Sequence, residues 1–355
     1  MAGGAVKVLL VEPGPGYSVQ DVCDGLHKGL LANGVDVGRL NLSDRISFYS
    51  HARLPRGDDY EYAFSEEAAF AMASKGITSA LYEFWPDVVI FVSGFFIPPQ
   101  MWDILRRRPH HTVLWCTESP YEDDRQARPA RYADTVVLND PVNLDWFTST
   151  INERTFYFPH SYDPDKHHPG DAVAELACDF AFVGTGFQSR IEFFEAVDWT
   201  GIDARFGGNW QQVGDDSPLL PLLTNERGVC MSNHDAARLY RSAKVTANLY
   251  RKETSDGDHA HAEGWAMGPR EVELAACGSF FLREPRGEGD ELFPMLPTFT
   301  TPHEFEEQLR WWLRHDMERR EAARLAREQI TDWTFEARAR RLLDIVADAP
   351  KRLAA

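Results

Sequence analysis

Short apolar runs rich in Val, Ile and Phe, separated by helical patterns, constrain this chain more than any other feature. In the first half they are Val6–Val11, Val35–Leu40, Val88–Val92, Thr112–Cys116, Thr135–Leu138 and Thr155–Phe158. Runs without polar alternation are buried on both faces, as in a parallel sheet covered by its crossover helices. The spacing predicts those helices at Val19–Ala32, Ser65–Phe84, Pro99–Arg107 and Val142–Thr150. Asn41–Tyr62, with its Pro, Gly and charge, reads as an irregular loop. From Pro159 to Ala174 the chain turns polar and carries Pro159, Pro164, Pro169 and Gly170. The alternation then restarts, with strands at Asp179–Val183, Asp203–Phe206, Lys244–Asn248 and Ser279–Arg283 and helices at Arg190–Val197, Asp235–Ser242 and Pro269–Cys277. A charged helical tail follows (His303–His315, Glu318–Gln329, Thr334–Val346). The expectation is an α/β chain with a first domain over 1–160, a linker over 161–175, a second domain over 176–330 and a terminal helix within 331–355.

Length and charge fit this division. A chain of 355 residues holds two ordinary domains, each with its own core. With 55 acidic against 37 basic residues the net charge is −18, a field that repels DNA, RNA and anionic membranes at long range. The densest basic run, Arg106–Arg108, reads as a solvated helix end before Pro109. Five widely spaced cysteines (Cys23, Cys116, Cys178, Cys230, Cys277) without a C-x-x-C pair argue against a disulfide framework or a zinc site. The apolar N-terminal run stops at Glu12 and Pro13, too short for a signal peptide, and no segment reaches transmembrane length. These features predict a soluble, cytoplasmic protein without membrane insertion.

Gly268–Gly278, GPREVELAACG, carries the strongest chemical signal. Pro at the first helical position costs no hydrogen bond, and Gly past the last one closes the helix. Amides opening at Gly268 favour a diphosphate, and Arg270 adds a forked cation beside them. Glu273, three residues on, shares that face, where a carboxylate accepts from both vicinal hydroxyls of a ribose. Val272, Ala275 and Ala276 turn toward a core.

Arg270, Glu273, Leu274, Ala276, Cys277 and Gly278 together resemble the R-x-x-E-x-x-A-C-G signature of CgeB-type (spore-maturation-like) glycosyltransferases, relatives of the group-1 family. Trp85–Gly94 (WPDVVIFVSG), Trp115–Tyr121 (WCTESPY), Asp179–Thr185 (DFAFVGT), Gly207–Trp210 (GGNW) and Tyr240–Leu249 (YRSAKVTANL) resemble that family's strand-end and loop signatures in the same order. The resemblance spans roughly residues 6 to 345. It implies the GT-B architecture, two Rossmann-like domains facing across a cleft, with the donor nucleotide on 176–330, the acceptor mainly on 1–160, and the last helix crossing back onto the N-terminal domain. Group-1 enzymes usually carry a second Glu eight residues before the ribose Glu; here that position is Trp265.

The resemblance also places donor phosphates at Gly184-Thr185-Gly186, where small residues let amides approach and Arg190 is a candidate phosphate partner. In Gly207-Gly208-Asn209-Trp210, Trp210 reads either as a platform near the nucleotide base or as an ordinary core aromatic. Asn248 ends a strand, where ligands gather in open α/β sheets. Glu12-Pro-Gly-Pro-Gly-Tyr-Ser18, with Gly14 and Gly16, fails the dinucleotide pattern because position 19 is Val, and Leu40-Asn41 stands where a ribose carboxylate would be expected. Both lower an oxidoreductase reading.

Glycosyl transfer requires a deprotonated acceptor oxygen and a stabilised leaving diphosphate. Glu118, just after a strand, is the first candidate base; Glu12 and His160 follow. The stretch 254–263, TSDGDHAHAE, holds Asp256, Asp258, His259 and His261 and invites a metal reading. A polar loop or a donor-dependent lid are the other readings, and no metal or other cofactor is expected beside the nucleotide-sugar donor. Asp58-Asp59, Asp123-Asp124 and Asp215-Asp216 read as solvated doublets, and Trp311-Trp312 as a helix anchor. The function expected is transfer of a sugar from a nucleotide-sugar to an acceptor hydroxyl on a protein, a glycan or a modified nucleobase. A nucleotide-sugar epimerase or a catalytically silent nucleotide-sugar-binding protein are the alternatives.

Overall fold

The computed structural model describes residues 5–15, 17–57, 59–254, 257–259, 261 and 263–350. Gly16, Asp58 and Asp256 lie outside the described residues. The chain divides into two compact units: Met1–Phe158 with Thr254–His261 and Phe335–Ala355, and Pro159–Glu253 with Ala262–Thr334. The stretch expected as a linker is thus counted with the second unit. Within that unit Tyr162 N donates to Trp333 O (3.0 Å) and Val173 N to Ser242 Oγ (2.9 Å).

The first unit holds β1 (Lys7–Val11), β2 (Asp36–Leu40), β3 (Arg53–Arg56), β4 (Asp59–Tyr62), β5 (Val88–Val92), β6 (His111–Trp115), β7 (Thr135–Leu138) and β8 (Thr155–Tyr157). Six of these form a parallel sheet in the order β2-β1-β5-β6-β7-β8, with Val8 opposite Val37 on one side and Val88 on the other. Alternate residues feed two cores. Leu9, Val11, Val89 and Phe91 pack with Ile77 and Trp102 of the helices Glu66–Phe84 and Pro99–Arg106. Val8, Leu10, Ile90 and Val92 pack with Leu26 and Leu30 of the helix Tyr17–Ala32 and with Phe335 of the terminal helix Phe335–Ala347. That terminal helix needs two glycines opposite it, since a Cβ on Gly25 would lie 2.2 Å from the Phe335 ring and one on Gly29 2.4 Å from its carbonyl oxygen.

Asn41–Tyr62 is not irregular. Asn41 caps a helix, Leu42–Ser50, by accepting from Asp44 N at 2.8 Å, and Leu42 and Ile46, one turn apart, are buried. The antiparallel hairpin β3–β4 then follows, its residues all exposed. Val142–Thr150 is also more broken than expected, a short helical turn at Leu144–Trp146 passing into a π-helical turn, Phe147–Ile151.

The second unit is a parallel sheet of β9 (Cys178–Val183), β10 (Ala204–Gly207), β11 (Ala243–Asn248) and β12 (Phe281–Arg283), ordered β10-β9-β11-β12. Phe180, Phe182, Phe194 and Phe206 are fully buried at its centre. In each unit the strand order reverses once, between β1 and β5 and between β9 and β11. Loops leaving adjacent strands there go to opposite faces and open a crevice at the carboxyl ends, the place where such sheets bind ligands.

Candidate functional site

The crevice of the second unit is bridged by two arginines. Arg270, on the helix Pro269–Ala276, donates from Nε to Val183 O at the end of β9 (2.7 Å) and from a terminal nitrogen to Asn248 Oδ1 at the end of β11 (2.9 Å). Its guanidinium also lies 4.5 Å from the Phe182 ring centroid. Arg190, buried on the helix Gln188–Glu195, repeats the span one layer away, donating to Thr185 O (2.9 Å) and Leu249 O (2.7 Å). The expected phosphate partner Arg190 therefore holds the loop that carries the amides.

Three glycines shape the same loop because side chains do not fit. A Cβ on Gly184 would meet the Arg270 guanidinium at 2.2 Å, and one on Gly186 the Trp210 ring at 2.4 Å. Gly208 has φ +102°, in the region glycine favours, and its Cβ would lie 2.5 Å from Gly184 O. Asn225 fixes Gly208 from both sides, accepting from its amide (2.9 Å) and donating to its carbonyl (3.0 Å). Trp210 is a correction to the platform reading: it is 1% exposed, donates to Gly207 O and packs edge-on against Phe182 and Phe206. Its role is to carry Gly186.

The opening of the Pro269–Ala276 helix differs from a bare anion site. Gly268 N donates to Glu271 Oε2 (2.9 Å), Pro269 has no amide proton, and Met267 N donates to the buried Glu288 (2.8 Å). Glu271 is wholly buried, hydrogen-bonds the Tyr250 hydroxyl, and is pushed up to about 7 by burial, against the pull of Tyr250, Gly268 N, Arg283 and Arg286. Arg286 stacks on Tyr250 at 3.8 Å. Sequence reasoning missed Glu271, although a carboxylate three residues after an N-cap is a capping signal. Among the described residues, Asn248 Nδ2 and Glu271 Oε1 are buried without a hydrogen-bond partner, as expected of groups that a ligand completes. Glu273 is half-buried one turn beyond Arg270, and both bring their charges to the buried Tyr240 hydroxyl. Gly184, Thr185, Gly186, Arg190, Gly208, Asn248, Gly268, Arg270 and Glu273 thus gather at or beside the ends of β9 and β11.

The three candidate bases do not form a cluster. Glu12 is buried after β1, and its carboxylate accepts from Arg39 Nε (3.1 Å) and a terminal nitrogen of the same arginine (2.7 Å), an ion pair joining β1 to β2. His160 belongs to the second unit; part of the ring reaches the surface, yet its packed surroundings push its pKa down to about 4, so the imidazole is neutral at pH 7. Glu118 is half-buried beyond the end of β6 on a loop built to be rigid. Gln126 Oε1 accepts from Thr117 N and Glu118 N (3.1 and 3.0 Å), while Gln126 and Asn143 both donate to the buried Asp123 (2.8 Å each). Asp123 is hence not solvated; burial raises its pKa.

In the His-rich stretch, His259 is held by protein partners. His259 stacks on Trp146 with ring centroids 3.7 Å apart, and its N and Nδ1 face Asp124 at 2.8 and 3.1 Å. Asn143 donates to its carbonyl at 2.6 Å. Among the described residues no group of three or more His, Cys, Asp and Glu could hold a metal ion, and no helix is long and apolar enough to cross a membrane.

Residues 190–344 match the family model described as "Glycosyl transferase-like". Sucrose-phosphate synthase from Thermosynechococcus elongatus superposes with a TM-score of 0.66 at 12% identity, over 96% of this chain and 98% of that one. The structure described as "Trehalose-6-phosphate from E. coli bound with UDP-2-fluoro glucose" gives 0.61 at 11% identity, over 98% and 100%. An "alpha-glucosyltransferase in complex with UDP and a 13-mer DNA containing a HMU base" gives 0.59 at 12%, over 97% and 100%. The chain is a transferase with the GT-B fold, and its residues 190–344 are glycosyl transferase-like. Comparison with curated proteins finds no match. The likeness in structure is one of fold, since identity is low throughout.

Proposed function

We propose that this chain is a group-1 glycosyltransferase of the CgeB type that binds a nucleotide-sugar in the β9–β11 crevice and transfers the sugar to an acceptor hydroxyl. The observation that carries the reading is Arg270: it spans the two strands where the sheet order reverses, lies against Gly184, and has Glu273 one turn behind it. UDP or a UDP-sugar is named in two of the similar structures reported above, which supports a nucleoside diphosphate as part of the donor.

In the reaction the acceptor oxygen forms a bond to the anomeric carbon as the bond from that carbon to the diphosphate breaks. The nucleoside diphosphate leaves with the bonding electrons, and the hydroxyl proton passes to a base. Glu118 is the base we assign, because it follows β6 at the carboxyl end of the sheet on a loop that Gln126 holds, whereas His160 is a weak base. The Gly184 and Gly186 amides donate to Gly207 O and Asn209 O (3.0 and 2.8 Å), so Arg270, beside that small-residue loop, stabilises the leaving diphosphate, and no divalent metal is assigned a role.

Arg270→Ala is a poor test, because it strips Val183 O and Asn248 Oδ1 of their donor and mixes folding with binding. Glu273→Gln is cleaner. Calorimetric titration with UDP-, GDP-, ADP- and TDP-sugars is expected to find one that binds saturably, and Glu273→Gln to weaken it by about 1.5–3 kcal/mol, the loss of a charge-assisted hydrogen bond. Unchanged affinity in that variant would sink the assignment.

A further inference from the structure

The first unit contains a pocket of about 610 Å³ whose chemistry no part of the donor site explains. Gly94 and Phe95, which follow β5, Asp124, which opens the helix Asp123–Ala130 after β6, and Trp146, which follows β7, all line it. It therefore opens at the carboxyl ends of the strands, where open α/β sheets take their ligands. Trp102 and Tyr132 supply its deeper wall, their rings nearly parallel at 17°. Its volume, with four aromatic and three arginine residues among the lining, matches a small-molecule site rather than a flat docking face.

Charge narrows the ligand further. Arg125, Arg128 and Arg131 recur every third residue through the helix end and all line the pocket. All three are exposed, and Arg125 stacks over the Phe95 ring at 3.9 Å. On a chain of net charge −18 this is a local positive field on one rim, enough to select an anion against the repulsion of the whole molecule. Guanidinium groups above aromatic faces favour a planar body carrying a carboxylate or phosphate. Two other lining residues, Asp124 and Trp146, are fixed by His259, the one by hydrogen bonds and the other by stacking.

We propose that this pocket takes the acceptor and that the acceptor is an aromatic hydroxyl compound bearing an anionic group. The acceptor role rests on the glycosyl-transfer reading; the binding preference does not. The hydroxyl presented at the mouth would join the anomeric carbon, with the proton and diphosphate leaving as described above.

The test is binding without donor, on the full chain, by calorimetry and ligand-observed NMR. The probes are 4-hydroxybenzoate (aromatic, anionic), 4-hydroxybenzyl alcohol (aromatic, neutral) and glucose 6-phosphate (anionic, not aromatic). The expected result is saturable binding of 4-hydroxybenzoate about tenfold tighter than either other probe, the scale of one charge-assisted contact. The double variant Arg128→Ala/Arg131→Ala, at two exposed positions that leave the core intact, is expected to abolish that preference while UDP-sugar affinity stays unchanged. Equal affinity for the two aromatics, a preference for glucose 6-phosphate, or an unaffected double variant each overturn the proposal. Loss of the donor reading would appear separately, as absent UDP-sugar binding with 4-hydroxybenzoate binding retained.

Discussion

Glu271 shows how one buried carboxyl ties local capping to the site. Its ordinary pKa near 4.5 rises to about 7 in the fold, so the native state holds a proton that the unfolded chain releases. The stability this contributes is full below about pH 4.5 and is lost as pH rises through about 7. Glu271→Gln keeps an oxygen for Gly268 N and does not ionise. The melting temperature of the variant relative to the wild type is therefore expected to climb between pH 4.5 and 7.5. A difference that stays constant with pH would show that the side chain does not titrate there. Tyr250, Arg283 and Arg286 face the same carboxyl; Tyr250 follows β11, Arg283 ends β12 and Arg286 follows it. Such a partner set is invisible in sequence, because Glu271 and Tyr250 are 21 residues apart and meet only through the sheet.

At the scale of elements, strands and long helices were legible because burial leaves a periodic trace. The run VVIFV could be little else than a strand covered on both faces. The helix Leu42–Ser50 and its hairpin were missed because Pro55 and Gly57 dominate the local signal, while the Asn41 cap is a single residue. Strand-end chemistry was half legible. The glycines of 184–186 and 208 marked a close approach, but the cause is protein as much as ligand: Arg270 reaches Val183 across 87 residues and Arg190 reaches Leu249 across 59. Gly208→Ala forces a positive φ and a 2.5 Å approach to backbone. It is expected to cost about 1–3 kcal/mol, read as a lower urea midpoint at unchanged m-value. An unchanged midpoint would mean that the β9 and β10 turns are not locked together.

For the whole molecule, two βα units each reverse strand order once, and each crevice carries a distinct chemistry. The second unit offers a glycine-lined loop, a strand-bridging arginine and a carboxylate one helical turn on; the first offers a pocket with four aromatic residues and an arginine rim. Composition pointed to a net acidic chain and hid the rim, because Arg125, Arg128 and Arg131 alternate with other residues and gather on one side only once the segment is helical. Trp265, in place of a second glutamate, packs its indole nitrogen 2.1 Å from where a Gly287 Cβ would be, so the sequence around it distinguishes nucleotide from sugar poorly. The central claim is that the β9–β11 crevice holds the donor. Hydrogen–deuterium exchange of the full chain with and without a saturating UDP-sugar tests it most directly. The account predicts slowed exchange at 184–190, 207–210 and 268–274; protection confined to the ends of β1 and β5, with none at those segments, would contradict it.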